Sequence, residues 1–296
     1  WISCAGVLPW GQPDDQRPDD ALSTTYEWYC DDELEILGHP VLRLRVTPSA
    51  PVQFLSAKLC DVFPDGTSAL VTRGFLNLTH RAGSVHPAAL RPGEPVDVTI
   101  ELEATSWVFE AGQRIRLALA GADWPNTWPP PHGGTLEVAR DSLQLELPVL
   151  DGPSPVGGAP TLPPTTGKDA HAPEEGDELP VRWLVTRDVL ERRTTASVEH
   201  GSDYDGACGS RVRERYAGAV SASSRDPSYA AAEATARFRI AWPDAEAETE
   251  ARLTMSSGPS DYRVRIEIRA EELGGGKDGL GRLERTFERV IPRDLQ

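Results

Sequence analysis

The chain has 296 residues, enough for two domains, and carries 26 prolines and 26 glycines at 39% hydrophobic content, which favours many short strands and turns over long helices. A formal net charge of −16 repels phosphate backbones and anionic lipid and so argues against nucleic acid or a membrane surface as a partner. No apolar run approaches the ~20 residues that span a bilayer.

In chain order, residues 1–20 show no periodicity and read as an extended lead-in that packs by Trp1 and Trp10. Ser23 to Tyr29 is a first strand. After the break at Gly38-His39-Pro40, Val41 to Thr47 alternates Leu42, Leu44 and Val46 against Arg43 and Arg45, the period of a strand with one wet face. Phe54 to Val62 and Ser68 to Thr79 form a hairpin around Pro64-Asp65-Gly66, where proline sets a turn dihedral, aspartate caps and glycine accepts positive φ. Arg81 to Pro95 is a loop, and Val96 to Leu102 is the clearest alternation in the chain. Thr105 to Glu110, Arg114 to Ala120, Leu136 to Ala139 and Leu143 to Leu147 complete about eight short strands. The rhythm is that of a two-sheet sandwich, and the long gaps before Val96 and Leu136 suit a jelly roll better than an immunoglobulin-like fold.

Residues 151–180 are rich in Pro, Gly, Thr, Asp and Glu and cannot bury enough surface to fold, so they read as a linker between a domain at 1–150 and another at 181–296. Strand patterns return at Arg182 to Leu190, Thr194 to Glu199, around Val212 and Val220, at Glu246 to Ser256, at Tyr262 to Ala270 and at Arg282 to Ile291. Asp226-Pro227 reads as the start of a short helix through Ala230 to Ala236, although Ala236, Phe238 and Ile240 alternate with arginines. Gly274 to Gly276 reads as a hairpin loop. The expectation is an all-β chain, a jelly-roll β-sandwich followed by a second antiparallel β domain, either a curled sheet or a small sandwich, with outward Arg and Glu pairing across strands.

No GxSxG elbow or βαβ unit is present, so no catalytic residue is assigned. None of His39, His80, His86, His132, His171 and His200 sits at metal-ligand spacing, and Asp14, Asp15, Asp19 and Asp20 lack the alternation and terminal Glu of a calcium loop and read as a solvated acidic segment. No metal and no cofactor is expected. Cys4, Cys30, Cys60 and Cys208 are scattered without a CxxC pair and are expected to be buried free thiols of a reducing compartment. Asn77-Leu78-Thr79 matches a glycosylation sequon but sits at a strand end in a chain opening on Trp1 without a secretion signal. That opening reads as the tail of a longer protein.

The run Leu59 to Arg81, LCDVFPDGTSALVTRGFLNLTHR, resembles the C-terminal, non-catalytic β-domain of X-Pro dipeptidyl-peptidases and cocaine-esterase-like (CocE/NonD) hydrolases. Asp15-Gln16-Arg17-Pro18-Asp19-Asp20, Leu34-Glu35-Ile36-Leu37-Gly38, Gly112 to Leu117 and Trp124-Pro125-Asn126-Thr127-Trp128-Pro129 agree in order and spacing, and Ile291 to Leu295 is similar to the end of an extended branch. The resemblance implies a jelly roll of the galactose-binding-like type. It implies as partner an upstream α/β-hydrolase domain of the same polypeptide, which carries the catalytic serine, aspartate and histidine, and a cytoplasmic bacterial location. Asn77, His80, Arg81, Trp124 and Trp128 are the candidates for domain docking or for walling a pocket. His80 either ties down the following loop or touches substrate. The two tryptophans cap their own core, dock onto the hydrolase domain or stack on a sugar. A carbohydrate-binding or oligomerising module, including a homo-oligomer, is the competing reading.

Overall fold

A computed structural model describes residues 15–150, 177–178, 180–273 and 281–296. Trp1, Cys4, Trp10, Asp14, His171, Gly274 to Gly276 and most of the expected linker lie outside the described residues. The chain divides into two compact units, the first containing the described residues 15–150 together with Asp294–Gln296 and the second the rest.

The first unit runs α1 (Arg17–Asp20), β1 (Thr24–Tyr29), β2 (Leu34–Gly38), β3 (Val41–Pro48), β4 (Phe54–Val62), β5 (Ser68–Asn77), a 3-10 turn (Leu78–His80), β6 (Val96–Glu101), β7 (Thr105–Phe109), β8 (Arg114–Ala120), β9 (Leu136–Val138) and β10 (Gln144–Glu146). One antiparallel sheet has the order β1-β8-β4-β5. A second has β10-β3-β6 with β9 also on β3, and β2 pairs with β7. The alternation read in β3, β6 and β8 is the core pattern. Leu42, Leu44, Val46, Val98 and Ile100 from the second sheet meet Leu55, Ala57, Leu59, Ile115, Leu117 and Leu119 from the first in one buried cluster.

Two elements differ from the expectation. The segment before Ser23 contains α1, with Pro18 in its first turn, where a missing N–H costs nothing. Leu34–Gly38 is a strand too short for periodicity to show; it is defined by its pairing with Thr105–Phe109. The hairpin turn forms as read: Phe63 N donates to Thr67 O and Thr67 N to the Asp65 carboxylate, both at 2.9 Å, and Gly66 sits at φ +88°.

The second unit is one antiparallel sheet: β11 (Asp177–Glu178), β12 (Arg182–Asp188), β13 (Arg193–Asp205), β14 (Arg211–Ser223), β15 (Ala230–Ala241), β16 (Glu246–Ser257), β17 (Asp261–Leu273) and β18 (Arg282–Pro292). From β13 to β18 each strand pairs with the next in sequence, and β11 and β12 both pair with β13. The short helix expected at Ala230 to Ala236 is absent, and those residues open β15. Alanine's helix propensity is worth only tenths of a kcal/mol per residue, whereas β15 hydrogen-bonds to β14 on one side and β16 on the other. The cross-strand ion pairs are present: Arg237–Glu250 at 3.2 Å, Arg239–Glu246 at 2.5 Å and Arg265–Glu288 at 2.5 Å. No described helix is long and apolar enough to cross a membrane.

Candidate functional site

The N-terminal strap, the Leu59 to Arg81 hairpin, Gly112 to Leu117 and the Trp-Pro loop converge on the first sheet, whereas Leu34–Gly38 pairs with β7. β4 is its central strand and is buried along its whole length, on both faces. Its inner face, Leu55, Ala57 and Leu59, belongs to the core. Its outer face, Ser56, Lys58 and Cys60, is buried together with Gln16 and Asp20 of the N-terminal strap and Asp123 of the Trp-Pro loop.

The strap is pinned by charges. Gln16 N donates to Ser68 O at 2.7 Å. The Asp15 carboxylate accepts from the backbone N–H of Arg17 at 3.0 Å and of Ser68 at 3.2 Å, and from Arg17 Nε at 2.6 Å. The Arg17 hydrogen bonds hold the Asp15 carboxyl down at about 2. Asp19 accepts from Lys58 Nζ at 2.6 Å, and Asp20 pairs with Arg116 at 2.5 Å. Arg116 also bonds Glu27, which Arg114 reaches at 2.7 Å. The acidic segment is therefore not solvated as expected: Asp19 and Asp20 sit over two cations of the sheet, and Asp20 is buried. Burial alone would lower the Lys58 pKa, but the Asp19 hydrogen bond and the Asp123 and Asp19 charges outweigh it and hold it above the ordinary value.

The Trp-Pro loop leaves from the same ion cluster. The Asp123 side chain is 7% exposed and lies 3.5 Å from Lys58 Nζ, itself on a side chain only 9% exposed, and 3.8 Å from Arg73. Asp123 O accepts from Thr127 N at 2.9 Å, which closes a turn across Trp124-Pro125-Asn126. Trp124 and Trp128 are half-buried, and Pro129, Pro130 and Pro131 are buried. The tryptophans thus neither fill the core nor stand free of it.

Asn77, His80 and Arg81 lie at the end of β5. Asn77 faces Phe54 and Ala120 of β8 faces Ser56, so this turn and the Trp-Pro loop flank the start of β4 at one end of the sheet. The Asn77 side chain caps the 3-10 turn, accepting from Thr79 N at 3.1 Å, and its Nδ2 donates to Leu295 O at 2.8 Å. Thr79 Oγ1 lies 3.0 Å from the same carbonyl. Arg81 Nη1 donates to Leu78 O and Ala88 O, at 3.1 and 2.9 Å, and so holds the following loop. His80 is half-buried, and its carbonyl accepts from Gly83 N at 2.8 Å. The polar part of NLTHR therefore builds its own turn and receives the C-terminal residues.

Sequence reasoning left two signature residues without a role. Asp61 is buried and accepts from Trp107 Nε1 at 3.0 Å; burial pushes its carboxyl above the usual range against that hydrogen bond. Gly74 marks a close approach, since a Cβ there would lie 2.7 Å from Ile100 Cγ2. Of the thiols, Cys30 and Cys60 are buried and free as expected, and burial pushes Cys60 up to about 12. Cys208 is exposed instead, in the turn between β13 and β14. Among the described residues no group of three His, Cys, Asp or Glu is placed to hold a metal ion.

Residues 3–156 match the family described as the X-Pro dipeptidyl-peptidase C-terminal non-catalytic domain. The chain is 35% identical over 136 residues to the cocaine esterase of Rhodococcus sp., covering 45% of this chain and 23% of that protein. It is 24% identical over 157 residues to the Xaa-Pro dipeptidyl-peptidase of Streptococcus gordonii, covering 42% of this chain and 21% of that one. Among solved structures, an aminopeptidase from a marine sediment Thaumarchaeota archaeon aligns with TM-score 0.44 at 20% identity, over 46% of this chain and 27% of its own. The chain thus spans under a quarter of the length of these two curated relatives, and the family match ends before the second sheet. The strap, the hairpin, the Trp-Pro loop and the sandwich that carries them belong to the X-Pro dipeptidyl-peptidase C-terminal non-catalytic domain family.

Proposed function

We propose that this chain is the non-catalytic C-terminal region of a serine hydrolase, a peptidase, esterase or acylase, and that its first unit is a jelly roll that packs on an upstream α/β-hydrolase domain and helps wall its active site. The observation that carries the reading is the family match over residues 3–156, in a chain without a nucleophile elbow. The domain boundaries near 150 and 180 belong to the same proposal.

The docking end is the one bounded by Trp124, Trp128, Asn77, His80 and Arg81. The two tryptophans are half-buried on a proline-braced loop anchored by Asp123, so docking orders little that is not already ordered. The upstream domain supplies the serine, and the full enzyme cleaves an ester or amide through an acyl-enzyme.

The test compares this chain alone with the same chain joined to its α/β-hydrolase domain. The joined protein is labelled at serine by a fluorophosphonate and turns over p-nitrophenyl acetate or an Xaa-Pro-nitroanilide; this chain alone does neither. Trp124→Ala with Trp128→Ala lowers turnover of the joined protein at least tenfold. Stoichiometric serine labelling of this chain alone overturns the reading. So does a sugar-dependent shift of its tryptophan fluorescence that the double variant abolishes, which would make it a carbohydrate-binding module.

A further inference from the structure

The second unit ends on a strand with one open side. β18 pairs with β17 from Asp261↔Pro292 to Glu271↔Arg282 and has no neighbour on its other side among the described residues. Every residue of β18 is exposed, and the apolar ones stand out on both faces: Leu283 at 43%, Phe287 at 49%, Val290 at 66% and Ile291 at 48%. On this edge Glu284 O and Glu288 O accept only from the exposed side chains of Arg285 and Arg289, at 2.9 and 2.8 Å, which an incoming strand can displace. A long edge whose N–H and C=O groups meet no other strand, with apolar side chains beside them, is a template for one. The opposite edge is divided between β11 and β12 and is shorter. On β18 the one proline, Pro292, is the last residue, where it leaves the rest of the edge able to pair.

We infer that the occupant of this edge is β18 of a second copy of the chain, paired antiparallel about a two-fold axis normal to the sheet at Arg285. The argument is charge complementarity. In antiparallel pairing, residues directly opposite share a face. With the axis at Arg285, Leu283 faces Phe287 of the second copy, Glu284 faces Thr286, and Arg282 faces Glu288, each contact occurring twice. Placing the axis at Thr286 instead sets Glu284 against Glu288, and placing it at Phe287 sets Arg285 against Arg289; both oppose like charges twice. The chosen register opposes like charges once, Arg285 with itself on the axis. Arg282 is already bonded to Glu284 at 2.5 Å, and Glu288 to Arg265 at 2.5 Å, so the new pair joins two existing ion pairs into a network across the junction. The two sheets become continuous, with Leu283, Phe287 and Ile291 of both copies on one face.

A seven-residue pairing falls at the low end of protein interfaces, about 1,200 Å² or less, so the dimer is reversible at micromolar concentration. The inference is independent of the hydrolase reading and is tested on the whole chain. Sedimentation equilibrium shows a monomer–dimer equilibrium; Glu288→Arg weakens it at least tenfold, and Arg282→Glu with Glu288→Arg restores it. In a Cys4→Ser, Cys208→Ser background, Arg285→Cys gives a disulfide-linked dimer on mild oxidation, because only at the axis do equivalent residues come within disulfide reach, and Thr286→Cys does not. A chain monomeric at all concentrations, a dimer indifferent to Glu288→Arg, or cross-linking at Thr286→Cys rather than Arg285→Cys overturns the proposal. The substituted residues of β18 are all exposed, and circular dichroism of each variant confirms that the sheet is intact.

Discussion

Lys58 is the residue on which the covered face of the first sheet depends. Its ammonium lies 2.6 Å from Asp19 and 3.5 Å from Asp123, on a side chain 9% exposed. At an effective dielectric of about 20 those contacts are worth roughly 6 and 5 kcal/mol of attraction. Several kcal/mol of lost hydration per ion offset them, so the cluster contributes little against an apolar replacement of the same shape. Removing one member is different. Lys58→Met leaves Asp123 buried with only Arg73 at 3.8 Å, and breaking a buried pair this way costs about 3–5 kcal/mol. Cys60, two residues along on the same face of β4, is the probe: it is fully buried and its thiol is pushed up to about 12, so the native sheet does not react. With the other cysteines replaced, its labelling rate reports opening of this sheet alone. Lys58→Met should raise that rate by roughly two to three and a half powers of ten, at ~1.4 kcal/mol per tenfold. Lys58→Met with Asp123→Leu should raise it far less. A rise below threefold for the single variant, or strict additivity of Lys58→Met and Asp123→Leu, would refute the argument. The pH dependence has a definite sign. The folded pKa of Lys58 is raised, so its contribution is complete below ~10.4 and is lost as pH climbs through the folded value, and Lys58→Met should flatten that alkaline limb.

Gly74→Ala should cost about 1–3 kcal/mol by overpacking, read as a lower melting temperature, because the new methyl would meet Ile100 at 2.7 Å and Glu101 O at 3.1 Å. Asn77→Ala should cost ~1 kcal/mol as a lost cap and loosen the hold on Leu295, read as faster carboxypeptidase trimming past Gln296; Asn77→Asp should keep the cap and loosen that hold as well, since it lacks the Nδ2 donor and leaves Thr79 Oγ1 as the remaining contact. Asp15, held at about 2, contributes stability that is present above ~3.9 and lost as pH falls through the folded value, so Asp15→Asn should remove part of the acid dependence of melting.

What the sequence revealed and what it hid divide along physical lines. β3, β6 and β8 alternate because one face is core and the other wet, and that period is written locally. β4 is buried on both faces, yet it contains Ser56, Lys58 and Asp61, and no window of sequence shows that a strap forty residues earlier brings the countercharge to Lys58. The strap reads as solvated acid for the same reason: its cations lie on β4 and β8. Ala230 to Ala236 invites a helix because alanine is the best local helix former, and only the strands on either side decide otherwise. For the candidate residues, the sequence places Asn77, His80 and Arg81 side by side at the end of one strand, which is a local fact. It gave no sign that Asn77 reaches Leu295, a contact more than two hundred residues away.

The covered outer face also limits how the first unit can meet anything else. A sheet normally offers a flat face to a neighbouring layer, but here α1, the strap and the Trp-Pro loop already lie over that face and hold it through Asp19, Asp20 and Asp123. An approaching domain would have to break three ion pairs and desolvate their charges to reach β4, which costs more than burying new apolar area there returns. The end of the sheet carries no such barrier. There Phe75, 37% exposed and packed edge-on against Phe54 at 5.5 Å, stands on β5 opposite Ser56, on the NLTHR side of β4, while Ala120 and the Trp-Pro loop lie across β4 on the β8 side. A contact made end-on through Trp124, Trp128 and Phe75 leaves the ion cluster intact. Phe75→Ala should therefore weaken attachment to a hydrolase domain, measured as turnover of the joined protein, while leaving Cys60 labelling in this chain within about threefold of wild type. If Cys60 opens as readily in Phe75→Ala as in Lys58→Met, Phe75 belongs to the sandwich rather than to its docking end.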